Sequence, residues 1–119
     1  MLTCLIKQKR GINIMSLKIK KDFDSKNNYW LVELEGEVDV YTAGQLKEAF
    51  KLIIKEKKEN IKIDADKLEY IDSTGLGILI GALKRLKQED KDIIISNIKP
   101  NIGKLLKITG LDKVFIIEG

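Results

Sequence analysis

The hydrophobic period of this chain switches repeatedly between two and about 3.6 residues, and that alternation restricts the folds open to it. The stretch "YWLVELEGEV" places Trp30, Val32 and Leu34 on one face, as a half-buried strand does. Soon after, "AGQLKEAFKLIIKEKKE" places Leu46, Ala49, Phe50, Ile53 and Ile54 at helical spacing, with lysines and glutamates opposite. Thr42 is positioned to cap this helix, and Asn60 to end it.

The same reading extends along the chain. "LKIKKDF" sets Leu17, Ile19 and Phe23 on one face of a strand, and Asp24 to Asn28 have turn chemistry, so the first two strands form a hairpin. Ile61 to Ala65 alternate as a short strand, and "DKLEYI" reads as a connection with apolar anchors. A helix is predicted from Thr74 to Gln88, burying Leu76, Leu79, Ile80, Leu83 and Leu86. Asp92 to Ser96 is a continuous apolar run, the pattern of a strand covered on both faces. Pro100 suits a first helical turn, Ile102, Leu105, Leu106 and Thr109 follow at helical spacing, and Gly110 is placed to end the helix. "KVFII" is a last short strand. The order β-β-α-β-α-β-α-β predicts an α/β fold with a mixed, mostly parallel sheet.

A length of 119 residues suits one domain, and 44% hydrophobic with 34% charged residues is ordinary for a soluble globular protein. No apolar run approaches the length of a membrane span. The net charge of +4 is local: Lys7, Lys9 and Arg10 lie in residues 1–14, which hold no acid, so the rest of the chain is close to neutral. A mixed solvated surface is expected in place of a nucleic-acid or membrane face. The single cysteine, Cys4, excludes an internal disulfide and a cysteine-built metal site, and a reducing cytoplasm fits. Residues 1–14 are expected to lie outside the domain, either non-native or disordered. Met15 opens the first strand, and Lys9-Arg10-Gly11 can be encoded by a purine-rich ribosome-binding run just upstream.

The stretch "IDSTGLGILIGAL" (71–83) concentrates the chemistry. As a nucleophile, Ser73 needs a base, but the chain has no histidine and no G-x-S-x-G elbow. Gly75, Gly77 and Gly81 miss the dinucleotide fingerprint by one residue and lie inside the helix. Glycine costs about 1 kcal/mol relative to alanine in a helix interior, so these residues either allow close packing or leave a flat docking face. Asp64 and Asp66 have the spacing of an aspartyl phosphotransferase, yet little chain remains to supply its magnesium ligands, and a polar strand end is the simpler reading. Finally, Ser73 can itself be the substrate. It stands where helix N–H groups are unpaired and an anion is favoured, with Asp72 or Ser73 as the N-cap. A phosphate there adds about −1.5 to −2 charges beside an apolar, glycine-rich surface.

"GEVD" (36–39), "YIDSTGLGILI" (70–80) and "GLDKVF" (110–115) resemble the anti-sigma factor antagonist family of STAS domains, and the resemblance spans about Leu17 to Ile117. It implies a switch protein and no catalysis. The unmodified antagonist binds an anti-sigma factor that is also a serine kinase carrying ATP or ADP, and the sigma factor is released. Phosphorylation at the position matching Ser73 ends the contact, and a serine phosphatase restores it. Asp39, Asp72, Thr74, Gly75, Leu76 and Gly77 map to the partner-binding region. No cofactor or metal, direct nucleic-acid contact or membrane is implied, and a cytoplasmic monomer or weak dimer is expected. Family members usually carry a further C-terminal helix, which "VFIIEG" leaves no room for. A non-phosphorylated STAS scaffold, or an accessory module of a signalling or transport assembly, is the alternative.

Overall fold

The computed structural model describes residues 16–118. The expectations for residues 1–14, Cys4 and Met15 lie outside that range. The elements are β1 (Leu17–Asp24), β2 (Tyr29–Val38), α1 (Ala43–Glu56), β3 (Asn60–Ile71), α2 (Ser73–Lys87), β4 (Ile93–Ser96), α3 (Pro100–Thr109), a 3-10 turn (Leu111–Lys113) and β5 (Ile116–Glu118). The strands lie in the order β1-β2-β3-β4-β5. The hairpin β1–β2 is antiparallel and the other pairs are parallel, as the alternation of periods requires.

Parallel neighbours in sequence order, joined by right-handed crossovers, carry all their helices on one face of the sheet. The burial pattern agrees. Trp30, Val32 and Leu34 of β2 are buried with Ile61, Ile63 and Ala65 of β3 and with Ile93 and Ile95 of β4. The alternate residues Leu31, Glu33, Lys62, Asp64 and Ile94 are only partly covered. The apolar run of β4 is therefore covered on one face, not two. Against this sheet α1 buries Leu46, Phe50, Ile53 and Ile54, each contributing roughly 1.5–3 kcal/mol. The helix α2 buries Leu76, Leu79, Leu83 and Leu86, while Ala49 and Ile80 are half-buried.

Several boundaries differ from the sequence reading. The helix α1 ends at Glu56, because Lys57 turns extended and the Trp30 indole N–H donates to its carbonyl at 3.0 Å. Asn60 opens β3 instead, and its Oδ1 accepts the Asp92 N–H at 2.7 Å. "DKLEYI" is not a connection: β3 runs on to Ile71 beside β2, across register shifts between Glu33 and Glu35 and between Gly36 and Glu37. These shifts mask the period of two. "KVFII" becomes a strand only from Ile116, and Phe115 is a core residue ahead of it. Gly110 does end α3, in the left-handed region at φ 76°.

Candidate functional site

Residues Val38 and Ile71 are paired at the carboxyl ends of β2 and β3, and the Asp72 N–H donates to the Val38 carbonyl at 3.1 Å. The two segments that leave the sheet here, the turn 39–42 and the start of α2, are therefore neighbours. The carboxyl edge of a parallel sheet is where α/β folds commonly place their sites.

Asp72 is the N-cap of α2: its backbone is extended and its Oδ1 accepts the Gly75 N–H at 3.0 Å. Its carbonyl also accepts the Leu76 N–H at 2.9 Å. With capping done by Asp72, the Ser73 side chain is left exposed on the first turn. The N–H groups of Ser73 and Thr74 point out of that turn with no intrahelical acceptor. An anion on Ser73 meets these N–H groups and the positive end of the helix dipole, and is opposed by the Asp72 carboxylate.

Gly75 and Gly77 have different reasons for being glycine. A Cβ on Gly75 would lie 2.5 Å from Val38 Cγ1 and 2.7 Å from Ile71 Cγ1, so α2 approaches the sheet ends closely there. A Cβ on Gly77 or Gly81 would meet nothing within 4 Å. Both glycines are exposed, so this side of α2 is a shallow track running from Ser73 and Thr74 to Lys84 and Arg85.

Asp39 is buried at 6% exposure. Its Oδ1 accepts the N–H groups of Tyr41 at 2.9 Å and Thr42 at 3.2 Å. Thr42 stands at the N-cap position of α1 but does not cap it. Its hydroxyl donates to the Glu37 carbonyl at 2.8 Å and accepts the Asp39 N–H at 3.0 Å. That hydroxyl is used to hold the turn, so it is not available to the helix. Gly36 is required one step earlier. It has φ 116°, and a Cβ there would collide with the Ser16 carbonyl oxygen.

Of the residues predicted from sequence, Ser73, Thr74 and Gly77 are exposed together and Asp72 is half-buried. Asp39, Gly75 and Leu76 are buried, and they shape this surface from beneath rather than line it. Sequence reasoning missed Val40 and Tyr41, which are 63% and 81% exposed on the Asp39–Thr42 turn. The available signal was two apolar residues that fit neither the strand period before them nor the helix period after them. Asp64 and Asp66 do not end a strand, as the sequence suggested, but lie within β3, with Asp64 beside Ser96 at the end of β4. Asp64 Oδ1 accepts the Asp66 N–H and the Asn97 side-chain amide, each at 3.0 Å. Among the described residues no group of three or more potential metal ligands is present, and no helix is long and apolar enough to cross a membrane.

Residues 20–118 match the STAS domain family. The chain is 37% identical over 106 residues to the anti-sigma-B factor antagonist of Staphylococcus aureus (strain NCTC 8325 / PS 47), which covers 88% of this chain and 96% of that protein. It superposes with a TM-score of 0.73 on an anti-sigma factor antagonist from Mycobacterium paratuberculosis, at 25% identity, over 86% of this chain and 85% of the other. The Bacillus cell fate determinant SpoIIAA in its phosphorylated form shares the fold, with a TM-score of 0.67 at 19% identity over 86% and 92% of the two chains. A mixed sheet with its helices on one face, matched in sequence over almost all of the described residues, places this chain in the STAS domain family.

Proposed function

We propose that this protein is an anti-sigma factor antagonist switched at Ser73. Unmodified, it binds an anti-sigma factor that is also a serine kinase, and the bound sigma factor is released. The kinase then transfers the γ-phosphoryl group of its ATP. Ser73 Oγ bonds to the γ-phosphorus, the bond to ADP breaks, and the hydroxyl proton passes to a base on the kinase or to water. The modified form dissociates, and hydrolysis by a serine phosphatase returns the hydroxyl. The cytoplasm is where such a cycle runs.

The observation that carries this reading is the division of labour at the start of α2. Asp72 caps the helix, and the Ser73 hydroxyl next to it is exposed and has no structural duty. The surface behind it is smooth and uncharged, from Thr74 through Gly77 to Gly81. A phosphate carrying about −1.5 to −2 charges has to lose water if a partner seats there, and that cost loosens the complex. The similarity to anti-sigma-B factor antagonists supports the same reading.

The test is capture of the anti-sigma factor kinase of the same organism on immobilised protein. Wild type and Ser73→Ala retain it, and Ser73→Asp does not. Equal retention by Ser73→Asp contradicts the switch and favours a scaffold role.

A further inference from the structure

Val40 and Tyr41 are apolar, exposed and held still. Their turn is fixed by the Asp39 carboxylate on the Tyr41 and Thr42 N–H groups and by the Thr42 hydroxyl on the Glu37 carbonyl. Asp39 and Thr42, which make those bonds, are each 6% exposed. Two buried polar side chains thus support a turn whose tip buries nothing of its own. A preorganised aromatic loses little entropy on docking, and rigid aromatic anchors dominate many interfaces.

Charge around the turn is one-sided. The acids next to the turn are Glu37 and Asp39; further back on β2, Glu33 lies beside Lys20 and Glu35 between Lys18 and Lys67, so the acidic character is confined to the end of the strand. Past Asp72, whose carboxylate is engaged as the cap, α2 carries no charge before Lys84. The turn therefore stands between an acidic strand end and a neutral helix face. The pairing of Val38 with Ile71 keeps both beside Ser73.

We infer that Val40 and Tyr41 are the apolar anchor of the partner interface, and that they seat in an apolar recess of the anti-sigma factor kinase. The recess is rimmed by lysine or arginine on the side that meets β2 and is uncharged on the side that meets α2. This rests on the function proposed above and specifies its partner's docking chemistry. It also explains how one modification can end the contact. A phosphate on Ser73 falls on the neutral side, where the partner offers no cation to replace its water.

The test is the affinity of the purified anti-sigma factor kinase for a set of variants, with thermal melts to verify folding. Tyr41→Ala is expected to weaken binding by at least about thirty-fold, the loss typical of an interface anchor, with an unchanged melt. Tyr41→Phe keeps wild-type affinity, because the ring and not the hydroxyl fills the recess. Glu37→Lys, at the end of β2 beside Tyr70, slows association and flattens its dependence on salt. Ile108→Ala removes an equally exposed apolar side chain, 73% accessible, at the far end of α3, and leaves affinity unchanged. If wild type binds and Tyr41→Ala binds equally well, or if Ile108→Ala weakens binding as much, the inference fails while the proposed function stands. If unmodified wild type does not bind the kinase, both fail.

Discussion

A methyl group placed on Gly75 would lie 2.5 Å from Cγ1 of Val38. The clash is with a side chain buried at 0% exposure, so it has no free direction of escape. Gly75→Ala is therefore expected to destabilise the fold by about 1–3 kcal/mol, the usual cost of overpacking. Gly77→Ala and Gly81→Ala meet open space and gain helix propensity, so each is expected to stabilise by about 0.5–1 kcal/mol. Denaturant unfolding of the three variants separates these signs. Destabilisation by Gly77→Ala would show that its position is not open.

The cap on α2 gives a second contrast. Asp72→Ala removes the acceptor of the Gly75 N–H and is expected to cost about 1 kcal/mol, whereas Asp72→Asn retains most of the stability. Ser73→Ala, at an exposed position with no capping bond, is expected to stay within about 0.5 kcal/mol of wild type. A large loss from Ser73→Ala in the same unfolding assay would give that hydroxyl a structural duty and weaken its reading as a free acceptor.

Asp39 and Thr42 depend on each other. Asp39→Ala removes the acceptor of the Tyr41 N–H and leaves the Thr42 N–H only the backbone carbonyl of residue 39, at an expected cost of about 1–3 kcal/mol. Thr42→Val strips the Glu37 carbonyl and the Asp39 N–H of their partner, while Thr42→Ser keeps both bonds. Amide hydrogen exchange at Tyr41 is the local readout. It accelerates in Asp39→Ala and in Thr42→Val and stays near wild type in Thr42→Ser. Unchanged protection in Asp39→Ala would mean that the turn is held by other contacts.

Strong periodicity made most of this fold legible. Tyr29–Val38 was readable to the residue because its alternation is unbroken, and the stripe of Leu46, Phe50, Ile53 and Ile54 identified α1. The errors have physical origins. The continuation of β3 was hidden by register shifts that spoil the alternation beyond Ala65. The end of α1 depends on a bond from Trp30, a residue distant in sequence, to the Lys57 carbonyl. Coverage of β4 on one face follows from the order of strands, which local pattern does not contain. At the site, Asp72 and Ser73 were visible as a helix start. The different reasons for Gly75 and Gly77, and the exposure of Tyr41, depend on tertiary placement.

The β1–β2 turn gives a prediction in pH. The side-chain amide of Asn27, its N–H and that of Lys26 all donate to the Asp24 carboxylate and hold its pKa below the ordinary 3.8. A depressed carboxylate pKa adds stability above the unfolded-state value, and that stability is lost as pH falls through the folded-state value. In an NMR titration Asp24 is expected to titrate below 3.8 in wild type and closer to it in Asn27→Ala. Equal midpoints in the two proteins would remove the amide as the cause.

The proposed switch requires Ser73 to receive a phosphate from an anti-sigma factor that is also a kinase. Incubation of wild type with that kinase and ATP, followed by peptide mass spectrometry, tests it most directly. One added phosphoryl group is expected on the peptide containing Ser73, with fragment ions placing it on Ser73 and not Thr74, and no incorporation in Ser73→Ala. Phosphate on Thr74, or equal incorporation in Ser73→Ala, would contradict it.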